Sequence, residues 1–253
     1  PVTTKSADAQ KYIDQGMNLA YGFNHAESGR AFAEAARLDP RCAMAFWGQA
    51  LVLGPNINAP MDAGDEPKAL ALVGQALALR SGASARERGY IEALAKRYEG
   101  KAERRNACDS AYAEAMREHA RRFPTDLDAQ TLWAESAMDL RPWNYWRPDG
   151  TPYPGTLDIR SRLEEVMAKD ANHPGALHLY IHLLEPTVEA YKATLLAAKS
   201  IGYSRGCSGT NVAEGIARLG LTEQLKAKTI FTGGGPVADH LARGEFEVGI
   251  QQT

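Results

Sequence analysis

"YIDQGMNLAYGFNHAESGRAFAEAARLDP", residues Tyr12 to Pro40, reads as a helix, a turn and a second helix. Gly16 is a small residue where another helix can come close. Ser28, Phe32 and Ala35 follow at helical spacing, and Asp39-Pro40 closes the unit because proline cannot continue a helix. Such a unit cannot bury its apolar face alone, so its presence predicts further copies stacked beside it.

The copies follow. "AMAFWGQALVLG" (43–54) places Trp47-Gly48 where a bulky residue and a glycine are expected, and "EPKALALVGQALAL" (66–79) supplies its partner helix. A third unit uses "ERGYIEALAKRYEG" and "DSAYAEAMREHARRFP", ending at Pro124. A fourth pairs "DAQTLWAESAMDL" with "TLDIRSRLEEVMAKDANHP", and "GALHLYIHLLE" opens the next. Two connections are long for a compact repeat, Gly54–Pro67 and Arg141–Gly155. The second carries Trp143, Tyr145, Trp146 and Tyr153, rings expected to cap an exposed end of the stack.

Composition narrows the function classes. The 253 residues carry a net charge of −2, which gives no global field for nucleic acid. No apolar run approaches the roughly 20 residues of a membrane helix. Cys42, Cys108 and Cys207 form no CxxC pair, so zinc-ribbon and dithiol motifs are absent. The chain starts at Pro1 rather than methionine, and a cleaved signal or a trimmed terminus is the expectation. No nucleophile elbow, phosphate loop or metalloprotease signature occurs, so the reading leans away from an enzyme, with no catalytic residue assigned.

Histidines offer a ligand set. His178 and His182 are four apart on one helical face, the spacing at which two imidazoles can hold one divalent transition metal. Glu185 lies three residues further on, and His173 precedes the helix at Pro174. The four form a candidate metal set; the competing reading gives them hydrogen bonds to carbonyls and neighbouring helices. His25 joins only if the helices curl back, while His119 and His240 read as surface residues.

After Thr187 the pattern changes to helix and strand in alternation. "IGYS", "KTIFTG" and "FEVGIQQ" read as strands, and helices are expected at 188–199, 208–219 and 235–243. That order predicts a short parallel sheet with right-handed crossovers. Its glycine loops make Ser208, Gly209, Thr210, Gly233, Gly234 and Gly235 candidate contacts for a small anion at helix starts. The expected fold class is thus mainly α, a helical superhelix over 1–187 followed by a partial α/β lobe over 188–253. Two bare sheet edges are expected either to dock against a second copy, which leaves a homo-oligomer open, or to make this half depend on the repeat domain for stability.

The order small, aromatic, small, proline resembles the tetratricopeptide repeat. With "YGFNHAESGRAFAEAARLDPRCAMAFWG", "LGPNINAPM", "RERGYIEALAKRY", "LRPWNYW" and "HPGALHLYIH", residues 5–186 look like a bacterial family of tetratricopeptide-repeat proteins. The resemblance implies an exported α-helical solenoid, periplasmic or otherwise beyond the inner membrane, with no agreed reaction. "LLAAKSIGYS", "SGTNVAEGIARLGL" and "GGGPVADHLARGEFEVGIQQT" resemble molybdate-type substrate-binding proteins of bacterial uptake transporters, but span only a fraction of a single lobe. Together they imply a non-enzymatic interaction protein that offers a concave helical surface to a peptide or protein partner. The alternative is a periplasmic metal- or small-anion-binding protein using the His178/His182 face or the glycine loops.

Overall fold

The computed structural model describes residues 1–62, 64–100, 102–187 and 189, and the backbone of 201–204, 228–231 and 248–250. The chain divides into two compact units, Pro1–Leu183 and Leu184–Thr253. Among the described residues the first unit is built from α1 (Ala7–Tyr21), α2 (His25–Leu38), α3 (Ala43–Leu51), α4 (Glu66–Leu79) and α5 (Ala85–Leu94). It continues through α6 (Arg105–Arg122), α7 (Leu127–Asp139), α8 (Thr156–Lys169) and α9 (Pro174–Leu184), whose last residue falls across the boundary.

Helix starts follow from local chemistry. Ser6 and Asp126 side chains accept from the backbone N–H three residues on, at 3.1 and 3.2 Å. Ser84 and Glu87 form a reciprocal capping box at α5. His173 caps α9, its Nδ1 accepting from Ala176 N at 3.2 Å. Each cap satisfies a donor that the first helical turn leaves without an internal partner.

Each helix packs on the next through the pairs α1–α2, α3–α4, α5–α6 and α7–α8, and α1, α3 and α5 also touch in series. One ring fixes the spacing of the first three. Phe32 of α2 is fully buried between Gly16 of α1 and Gly48 of α3. A methyl group on Gly16 would stand 2.8 Å from the ring, and one on Gly48 closer still, so both positions require glycine. Ser28 locks the same turn by donating from Oγ to Gly16 O at 2.7 Å. The third pair repeats the device with His119 of α6 over Gly89 of α5. Trp47 and Ala35 are buried as well, whereas Leu51 is half-buried. Trp47 donates from Nε1 to Tyr90 O at 3.2 Å, which ties α3 to α5.

The expected α/β segment with a short parallel sheet is corrected. Residues 1–187 hold helices and, among the described residues, only isolated bridges at Asn56/Ala59 and Trp146/Pro152. Beyond them three backbone stretches are described, β1 (Ile201–Ser204), β2 (Lys228–Phe231) and β3 (Val248–Ile250), aligned in parallel in the order β2-β1-β3. The helices expected at 188–199, 208–219 and 235–243 lie outside the described residues. Pieces of three or four residues stand at the short end of strand lengths and do not by themselves define a fold layer. The fold that the structure supports is helical.

Candidate functional site

Two clusters gather where α1, α2, α7 and α9 end. The first starts at the end of α1, where Phe23 N donates to Ala20 O and Asn24 N to Leu19 O, both at 2.9 Å. This pair of bonds is the Schellman closure, which places its C′ residue in the left-handed region and normally puts glycine there. Here the glycine comes one residue early, as Gly22, and Phe23 takes φ +57°. Trp143, at φ +60°, is the other non-glycine residue in that region among those described. Left-handed backbone at a bulky residue is an outlier that the surroundings must hold in place.

The rings of both outliers meet at His182, and Phe23 touches His178 as well. Phe23 lies parallel to His182, with ring centres 6.0 Å apart, and 4.5 Å from His178. Trp143 meets His182 edge-on at 5.0 Å. Nε2 of His178 and Nε2 of His182 stand 2.9 Å apart. Nδ1 of His178 is 2.5 Å from Tyr21 O, and since a carbonyl only accepts, that nitrogen carries the proton. Burial and the neighbouring His182 lower the pKa of His178 against the Tyr21 hydrogen bond, which favours the neutral ring.

Tyr21 anchors this arrangement from both ends. Its ring packs over Gly175 and beside His173, and its hydroxyl donates to Asp128 Oδ1 at 2.6 Å. His173 Nε2 lies 3.4 Å from the same oxygen. Burial alone would raise the pKa of Asp128, but the hydrogen bonds from His173 and Tyr21 outweigh it and hold the carboxylate charged.

The second cluster is ionic. Arg97, almost wholly buried, pairs through Nε with Asp109 Oδ1 at 3.1 Å and through Nη2 with Asp139 Oδ2 at 2.8 Å. Nη2 also donates to Pro55 O at 2.9 Å, and the guanidinium lies over the Tyr112 ring. Asp139 Oδ1 is buried with no hydrogen-bond partner among the described residues. Glu135, one turn before it on α7, has its pKa pushed up to about 8 by burial and by the charge of Asp139, against Arg97. A pocket of about 20 Å³, room for a single water, is lined by Tyr21, His25, Asn56, Arg97, Glu135 and Asp139 among others.

The residues singled out from sequence are placed unevenly. His178 and His182 are brought together. His173 spends both ring nitrogens elsewhere, on the α9 cap and on Asp128. Glu185 lies past Leu183, in the second unit. Among the described residues no group of three or more His, Cys, Asp or Glu side chains is placed to hold a metal ion. Ser208, Gly209, Thr210, Gly233, Gly234, Gly235 and His240 lie outside the described residues. His25 sits beside Phe23 with Nδ1 on Asn56 Nδ2 at 3.3 Å. His119, expected at the surface, is buried against Tyr90, and burial lowers its pKa to about 4.

The aromatic loop is docked rather than loose. Tyr145 is buried, Trp146 donates from Nε1 to Leu183 O at 2.7 Å, and Tyr153 lies between Arg141 and Arg147. Only Trp143 of its four rings is largely exposed. No motif pointed to Phe23, Arg97, Glu135 or Asp139. The order Gly22-Phe23 at a helix end was the one available signal. Among the described residues no helix is long and apolar enough to cross a membrane. No protein-family model matches the chain, and a search of curated proteins finds no match.

Proposed function

We propose that the chain is a non-enzymatic, tetratricopeptide-like binding protein that takes a peptide or protein partner and seats a lysine of it against Glu135 and Asp139. The observation that carries this reading is Asp139 Oδ1, a buried carboxylate oxygen on the wall of a pocket without a partner among the described residues. An unpaired buried acceptor is costly, and a donor entering the pocket removes that cost. The pocket is too small for a metabolite, but an ammonium group is about the size of the water it would hold. The serial contact of α1, α3 and α5 supports a continuous face on which the rest of a peptide could lie. A periplasmic setting belongs to the same proposal and rests on the resemblance alone.

Lysine-bearing peptides displayed on an array, each with its acetylated counterpart, test it. Acetylation removes the charge and should abolish binding. Affinity should rise several-fold between pH 6.5 and 8.5, because a bound cation favours the ionised form of Glu135. Glu135→Gln should flatten that rise. Peptides that bind equally well when acetylated would sink the proposal.

A further inference from the structure

We infer that His178 and His182 form a two-imidazole site for copper(II), gated by the rings of Phe23 and Trp143. The inference stands on residues that the lysine pocket does not require, so either can fail alone. Three observations converge on it.

The first is distance. Metal–imidazole bonds are about 2.0–2.1 Å, so nitrogens 2.9 Å apart subtend about 90° at a shared ion. Tetrahedral ligands would need about 3.3–3.4 Å between nitrogens at the same bond length. A right-angle pair of nitrogens suits tetragonal copper(II), which also heads the affinity order for nitrogen sites. Water or an added donor would complete the coordination.

The second is the tautomer. Tyr21 O fixes the proton of His178 on Nδ1, which leaves the Nε2 lone pair facing His182. A backbone carbonyl holding the far nitrogen is the outer-sphere arrangement that orients metal-binding histidines. Without metal, His182 Nε2–H donates to that lone pair. On binding, His182 takes its other neutral tautomer, with the proton on Nδ1 and the Nε2 lone pair turned to the ion.

The third is strain. Phe23 and Trp143 hold left-handed backbone; Phe23 presses on both imidazoles and Trp143 on that of His182. A histidine pair serving packing alone gives no reason for two such outliers around it. Strain concentrates where geometry has been fixed for binding. Trp143 also stands at the surface, where it can move aside to admit an ion.

Titration of the full chain with copper sulfate, followed by electron paramagnetic resonance and tryptophan fluorescence, decides it. One equivalent should give a tetragonal spectrum with splitting from two imidazole nitrogens, and fluorescence should fall as Trp143 is quenched. His182→Gln should weaken binding at least tenfold, while Trp143→Phe should keep binding and lose most of the quenching. His182 is the better target because replacing His178 would strand the Tyr21 carbonyl. A wild-type spectrum without two imidazole nitrogens would overturn the inference by itself, whatever the variants do. Wild-type affinity in a folded His182→Gln protein would overturn it equally.

Discussion

Phe23 shows how much a single dihedral can be asked to carry. Its φ of +57° sits where a side chain costs about 1–2 kcal/mol relative to glycine. Phe23→Gly and Phe23→Ala both delete the ring, but only the first relieves the backbone. Chemical denaturation should therefore find Phe23→Gly more stable than Phe23→Ala by about 1–2 kcal/mol. The reverse order would mean that residue 23 is not left-handed in solution. His119 makes a second case. It is neutral when folded, with its pKa lowered to about 4 by burial, whereas in the unfolded chain it titrates near 6.5. Between those values the unfolded state binds the extra proton, so stability falls as pH drops from about 6.5 to 4. Its Nε2 is also buried without a hydrogen-bond partner among the described residues. His119→Phe, which copies the ring of Phe32 in the first pair, should flatten that acid limb of the thermal midpoint and add about 1 kcal/mol at pH 7. An unchanged acid limb would assign the loss to the carboxylates instead.

At the scale of helices, Trp47 is the clearest lever. It fills the space between α3 and α5 and spends its indole N–H on Tyr90 O. Trp47→Ala should cost about 3–5 kcal/mol by urea denaturation. A loss under about 1 kcal/mol would place the tryptophan outside the core. The helix pairs were legible because their cues are local: apolar spacing, Pro40 and Pro124 as stops, and Ser84 with Glu87 as a start. Gly16, Phe32 and Gly48 could even be read as a packing triplet, since small and aromatic residues alternate at the right intervals. The ionic cluster was not legible. Arg97, Asp109 and Asp139 sit in different helices or at their ends, and nothing local distinguishes them from solvent-facing charges. His119 misled for the same reason: the glycine beneath it, Gly89, lies on the preceding helix, far back along the chain. The pairing of His178 with His182 was visible as a spacing, but the carbonyl and the two rings that orient it come from distant turns.

Across the first unit, structure is carried by neighbours, and contacts run mainly from each helix to the next one or two along the chain. The N-terminal residues add a longer tie, with Thr3 Oγ1 donating to Glu87 Oε2 and Thr4 Oγ1 to Asp39 Oδ2, both at 2.6 Å. The first helix is thereby fastened to the start of the third pair and to the end of the first. The Phe32 ring, held between two glycines, has a further consequence for how such a body responds to load. It acts as a keystone shared by three helices, so α1, α2 and α3 must come apart together rather than in succession. His119 rests on one glycine and joins only its own pair. Tension applied along the chain therefore meets a stiff amino-terminal block, and Tyr21 at its edge passes that load to α7 through Asp128 and to α9 through Gly175 and His178. The histidine pair on α9 is clamped to that block by Tyr21 O and the Phe23 ring, so the imidazoles part only when the turn after α1 is itself pulled away.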